Sequence, residues 1–145
     1  MPRHSETRFL PYTSAQLYDL VIDIERYPEF LPWCVAARIL EKNDHMLKAD
    51  LIAGYKAFRE KFTSVVSMTP HQTIEVAYIS GPLAQLSNSW RFTPVPGGCR
   101  LGFDLEFKFK TTLFSNIFEI FFEKTLKRMA DAFEARAKAL YVPLQ

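Results

Sequence analysis

Two side chains place polar chemistry where an apolar face is expected, Glu60 and Asn88. In the run Phe58 to Met68, strand alternation sets Glu60 and Ser64 on the same side as Phe58, Phe62, Val66 and Met68. Asn88 falls in the same way among Ala84, Leu86, Trp90 and Phe92. A carboxylate turned inward needs a partner, and it can hold a ligand's polar head or serve as an acid or base. The competing reading is that a bulge or the strand end turns Glu60 to solvent, or that an arginine pairs with it. For Asn88 the competing reading is a structural hydrogen bond to nearby backbone. His4, His45 and His71 sit near the terminus or at turns, with no His or Cys at metal-ligand spacing, and read as surface residues. Cys34 and Cys99 have no CxxC spacing and read as reduced thiols. There is no GxSxG, P-loop or GxGxxG, and Gly97-Gly98 marks a hairpin turn. The sequence therefore nominates no catalytic residue, no metal and no cofactor.

The elements that must position these residues are legible in outline. Thr7 to Tyr12 reads as a strand, and Thr13 or Ser14 caps a helix to about Asp23 with Leu17, Leu20 and Val21 inward. Pro28 and Pro32 exclude a regular helix or central strand from Tyr27 to Trp33. That segment is a second short helix or tight turn presenting aromatics, either as a core plug or as a pocket rim. From Cys34 to Lys110, turn signals at Asn43-Asp44, Thr69-Pro70-His71, Gly81-Pro82 and Pro94 to Gly98 mark an antiparallel meander of about six strands. Alternation is clearest at Leu101, Phe103, Leu105, Phe107 and Phe109, set against Asp104, Glu106, Lys108 and Lys110.

The last long segment, Thr112 to Val142, reads as one helix with two apolar faces. Phe118, Phe122, Leu126, Met129, Phe133, Ala137 and Leu140 form the seam that grips the sheet. Leu113, Phe114, Ile117, Ile120 and Phe121 form a second face in the first half only, continued by Lys124, Lys127 and Arg128. Such a face covers a ligand or a membrane interface, or it packs on the Tyr27 to Trp33 segment or a second subunit.

A length of 145 residues suits one domain, residues 1–145, and 13 phenylalanines can line a cavity or fill a core. A net charge of +2 is too mild to argue for nucleic acid alone. The start carries no apolar leader, and no stretch reaches the roughly 18 apolar residues that span a bilayer. The expected location is cytoplasmic, with peripheral contact at the inner face of the cell membrane.

Several segments together resemble the coenzyme Q-binding proteins of the START-like superfamily of polyketide cyclases/dehydrases and lipid transporters. They are Tyr27 to Cys34, Phe58 to Phe62, Gly81-Pro82-Leu83, Asn88 to Phe92, Phe107-Lys108-Phe109 and Ala132 to Ala137. The resemblance implies an α+β helix-grip fold. A curved antiparallel sheet of about seven strands wraps a long C-terminal helix, with two short helices after strand one and an apolar cavity between. It also implies binding of ubiquinone or a similar isoprenoid lipid in support of respiratory electron transfer, with the protein as carrier or chaperone rather than enzyme. Bacterial relatives are also described as ribosome-associating toxins that block subunit joining. The large ribosomal subunit is therefore the alternative partner, met through Lys56, Arg59, Lys61, Lys108, Lys110, Lys124, Lys127 and Arg128. A cyclase or dehydratase is the second alternative and would rest on Glu60. The expected cavity residues are Phe58, Glu60, Phe62, Asn88, Trp90, Phe107, Phe118 and Phe122. Phe30, Trp33, Phe114, Ile117, Phe121, Lys124 and Arg128 are the expected rim or membrane contacts.

Overall fold

The structure, a computed structural model, describes residues 3–110 and 116–145, the latter without the side chains of 116–119. Its strands are β1 (Arg3–Leu10), β2 (Cys34–Lys42), β3 (Met46–Tyr55), β4 (Phe58–Thr69), β5 (Thr73–Ser80), β6 (Leu83–Val95) and β7 (Gly98–Phe109). They form one antiparallel sheet in the order β1-β7-β6-β5-β4-β3-β2. The strands from β2 to β7 are thus a meander of hairpins, and β1 returns to pair with β7 from Arg3↔Glu106 to Leu10↔Cys99. That full-length pairing explains why β1 starts at Arg3 rather than at Thr7. The turn between β3 and β4 is Lys56-Ala57, where Lys56 takes φ 54 without a glycine. Its sequence gave no turn signal.

Helix α1 (Ser14–Ile22) opens on a capping box: Gln16 N–H donates to Thr13 Oγ1 and Thr13 N–H donates to Gln16 Oε1, both at 3.0 Å. Leu17, Leu20 and Val21 are buried. A 3-10 helix, Ile24–Glu29, follows with Pro28 inside it. Pro28 cannot donate in an α-helical ladder, and the short tight helix accommodates it.

The C-terminal segment is two helices, α2 (Asn116–Lys127) and α3 (Met129–Leu140), not one. The cause is local. Thr125 Oγ1 donates to the carbonyls of Phe121 at 3.1 Å and Phe122 at 3.0 Å. Such back-bonding bends a helix. Arg128 N–H then turns to Thr125 O at 3.2 Å, a tighter closure than the α-helical one. The seam survives the break: Phe122, Leu126, Met129, Phe133 and Ala137 are all buried against the sheet. Each large side chain among them contributes about 1.5–3 kcal/mol of burial. Leu140, expected on the seam, is exposed, because it ends the last turn of α3. Phe118 and Ile117 lie in α2 with side chains outside the described set, and Leu113 and Phe114 lie outside the described residues.

Candidate functional site: an apolar cavity and the groove beside it

The concave sheet face and the helices enclose a cavity of about 80 Å³. Because alternate residues of neighbouring strands point the same way, its floor draws on five strands. Ala49 and Leu51 come from β3, Phe62, Ser64 and Val66 from β4, and Ile74 and Val76 from β5. Leu86, Asn88 and Trp90 come from β6, and Leu105 from β7. The roof is Val21, Ile24, Tyr27, Trp33, Phe122, Leu126 and Met129.

Polar groups in this wall are few and mostly paired. Asn88 is buried; its Nδ2 donates to Asp104 O at 2.9 Å, and its Oδ1 accepts from Trp90 Nε1 at 2.8 Å. The asparagine thus satisfies both the backbone of β7 and the indole of its own strand. Tyr27 donates to the carbonyl of Val21, and burial, with Cys34 and Asp23 adding to it, pushes this phenol well above the usual tyrosine range. It stays protonated and serves as a strut between the 3-10 helix and α1. Ser64 is buried in the floor. Trp33 Nε1 is buried with no hydrogen-bond partner among the described residues. No Asp, Glu, His, Lys or Arg is among the described residues that line the cavity.

Outside the roof runs a groove of about 330 Å³ lined by Leu31, Pro32, Trp33, Phe121, Lys124, Thr125, Arg128 and Ala132. Trp33 is the residue shared by the two linings. Its ring stands edge-on to Phe122, with centroids 5.9 Å apart at 89°.

The expected cavity residues with described side chains divide two ways. Phe62, Asn88, Trp90 and Phe122 meet at the cavity, whereas Phe58, Glu60 and Phe107 do not line it. Burial falls along one face of β4 from Phe62 to half-buried Glu60 to exposed Phe58, because the strand runs past the core toward the Lys56-Ala57 turn. Glu60 faces Ala53 across the ladder; the Tyr78 hydroxyl is raised by burial against the lowering effect of its Leu83 hydrogen bond, and the Glu60 charge adds a smaller upward push. Phe107 is fully buried and packs edge-on against Phe109 at 5.5 Å.

Of the rim residues, Trp33 is 4% exposed and part of the wall itself. Phe121 stacks on Tyr55 at 4.2 Å, and with Lys124 and Arg128 it lines the groove. Phe30 lines neither space. It sits edge-on to Phe133 at 5.1 Å beneath the Arg136 guanidinium, which donates to Glu29 at 2.6 Å. That clamp fixes the 3-10 helix on α3. Ile120, expected on the second apolar face, is exposed.

The floor is chiefly aliphatic, which a reading from the phenylalanines alone does not show. Val66, Ile74, Val76, Leu86 and Leu105 share inward parity with Phe62 and Trp90, so alternation alone carried the signal. Cys34 and Cys99 are free and buried, and burial pushes the Cys34 thiol up to about 12. No group of three or more His, Cys, Asp or Glu among the described residues can hold a metal ion. No helix among them is long and apolar enough to cross a membrane.

The chain is 35% identical over 142 residues to the ribosome association toxin RatA of Escherichia coli (strain K12), covering 97% of this chain and 90% of that one. It is 32% identical over 143 residues to the mitochondrial coenzyme Q-binding protein COQ10 homolog B of Xenopus laevis, covering 95% of this chain and 59% of that one. A solved START superfamily protein from Mycobacterium smegmatis superposes with a TM-score of 0.77 at 18% identity, over 96% of this chain and 99% of that one. The fold is START-like. The family described as polyketide cyclase/dehydrase and lipid transport matches residues 10–134, and the chain belongs to that family.

Proposed function

We propose that this protein binds an apolar ligand of the ubiquinone or polyprenyl-lipid class between its sheet and its C-terminal helices. In this reading it acts as a carrier or chaperone that supports respiratory electron transfer, not as a catalyst. The observation that carries the reading is the cavity wall, aliphatic and aromatic throughout except for Ser64, Asn88 and one unpaired indole N–H. Burying an isoprenoid tail there gains about 0.8 kcal/mol per CH₂. A general acid or base has no candidate among the described lining residues, which argues for binding over turnover.

Size constrains how loading occurs. A ligand pocket typically measures about 300–1,000 Å³, and the cavity is about 80 Å³. The roof must therefore yield, and α2 is the part able to do so: it carries Phe122 and Leu126 and meets α3 at the Arg128 break. Lys124 and Arg128 on the groove side suit a membrane surface with anionic head groups. Organic extraction of natively purified protein followed by mass spectrometry tests the reading. Co-purifying quinone or polyprenyl lipid supports it; failure to co-purify and failure to bind added quinone refute it.

A second reading, association with the large ribosomal subunit, is favoured by the similarity to RatA and by a cluster of cations at one end. Lys56, Arg59, Lys61, Lys108 and Lys110 are exposed there. The Gly81 turn sits against the Lys61 backbone, and Lys110 Nζ donates to Gly81 O at 3.2 Å. Salt-sensitive co-sedimentation with the large subunit supports this reading, and its absence refutes it.

A further inference from the structure

The two tryptophans of this chain differ in one respect. Both are buried cavity residues, but the Trp90 indole donates to Asn88 Oδ1 at 2.8 Å, whereas the buried Trp33 Nε1 has no acceptor among the described residues. Packing alone does not account for an indole at Trp33. A phenylalanine could also meet Phe122 edge-on and would leave no donor stranded in an apolar wall. The position is also held firmly. Trp33 O accepts the Gly54 amide at 2.9 Å, and Cys34 N–H donates to Leu31 O at 3.1 Å, so both sides of the residue are tied to backbone. The other unpartnered buried donor, Arg136 Nε, belongs to a guanidinium already engaged by Glu29 and Phe30, and it lines neither cavity nor groove.

We propose that the Trp33 indole N–H is the hydrogen-bond donor to an oxygen of the bound ligand, held at the boundary between the cavity and the groove. This rests on the lipid-binding reading above and narrows it. The ligand carries a carbonyl or quinone-type oxygen at its ring, and a pure hydrocarbon lacks the group that Trp33 is built to meet. Trp33 thereby sets the depth at which the ring stops, with apolar walls on either side for the rest of the molecule.

The test uses the full chain, labelled with nitrogen-15 so that its two indole N–H signals are seen, with Trp33→Phe assigning them. The probes are an alkyl-tailed benzoquinone and an alkylbenzene of the same tail. On addition of the quinone the Trp33 signal moves downfield by more than the Trp90 signal, and the alkylbenzene leaves it near its starting position. Trp33→Phe weakens quinone binding about two- to ten-fold more than it weakens alkylbenzene binding. The inference alone is overturned if quinone binds without a downfield shift at Trp33, or if the variant loses both probes equally, which marks a packing role. If wild-type protein binds neither probe, the lipid-binding reading falls and takes this inference with it. Trp90→Phe supplies the same assignment if Trp33→Phe folds poorly, so the wild-type titration still decides the matter.

Discussion

Phe122→Ala is the perturbation that most directly tests the relation between the cavity and stability. Phe122 is 1% exposed and wedged among Phe62 at 5.3 Å, Trp33 at 5.9 Å and Phe109 at 6.1 Å. Removing its ring opens a void on the order of 100 Å³ beside the existing 80 Å³. At about 24 cal/mol per Å³ that void costs about 2.4 kcal/mol, and lost transfer energy brings the total to about 3–5 kcal/mol. For a domain of this size the loss corresponds to a Tm lower by roughly 6–20 °C. A compact apolar ligand such as benzene should recover part of it, because an engineered apolar cavity of about 150 Å³ stays dry and takes up such a molecule. Recovery of about 2.7 kcal/mol is expected at a ligand concentration of about 100 times Kd. Thermal unfolding followed by circular dichroism, with and without benzene, measures both quantities. A loss under about 1 kcal/mol refutes the wedge role of Phe122. A full loss with no greater benzene stabilisation than in wild type shows that the roof collapses instead of holding a space.

Asn88→Leu should cost about 1–3 kcal/mol in urea unfolding, because it strands the Trp90 N–H and the Asp104 carbonyl; a change under about 0.5 kcal/mol contradicts their pairing. Acid sensitivity follows from two carboxylates held below their ordinary values. Ser5 and Arg91 lower Asp104, and Arg136, with Arg26 assisting, lowers Glu29. Both bind protons less readily folded than unfolded, so their contribution is complete above about pH 4.5 and is lost as pH falls below it. Asp104→Asn should flatten the acid limb of a plot of urea midpoint against pH, and a limb parallel to wild type refutes the assignment. The raised Cys34 thiol should resist iodoacetamide at pH 8 in native protein and react at the rate of unfolding, as read by mass spectrometry of the Cys34 peptide. Prompt native labelling there contradicts its burial.

The fold was legible wherever one rule decided the outcome. Period-two alternation from Leu101 to Phe107 fixed the buried face of β7, and a capping residue at Thr13 or Ser14 placed the start of α1, which the structure resolves to Thr13. Legibility ended where two local interactions competed. The seam from Phe122 to Ala137 is periodic across the whole segment, so the sequence reads as one helix, but the Thr125 hydroxyl takes carbonyls of the preceding turn and the helix breaks at Arg128. Glu60 and Phe58 share the parity of Phe62, yet parity says nothing of where a strand leaves the core. The cavity was legible as an apolar space and illegible in its details, since the unpaired state of Trp33 is a property of what surrounds the side chain, not of its type.

The alternation of the strands also bears on how a ligand site and a macromolecular surface can share so small a protein. Lys61 is exposed beside buried Phe62, and Lys108 is exposed beside buried Phe107. One strand thus presents a cation outward and an apolar ring inward at consecutive positions. An outer contact at these lysines involves no cavity residue, so the two proposed roles do not compete for side chains on the sheet. They meet only at α2, where Phe122 faces the cavity and Lys124 faces the groove within one turn. Phe122 and Lys124 share one turn of α2, so this helix is where the cavity and the outer groove come together on one stretch of backbone. The Thr125 back-bonding lies between Phe122 and the Arg136 clamp on Glu29. The break that defeats the sequence reading of a single helix therefore separates the part of the roof that carries Phe122 and Leu126 from the part clamped to the 3-10 helix.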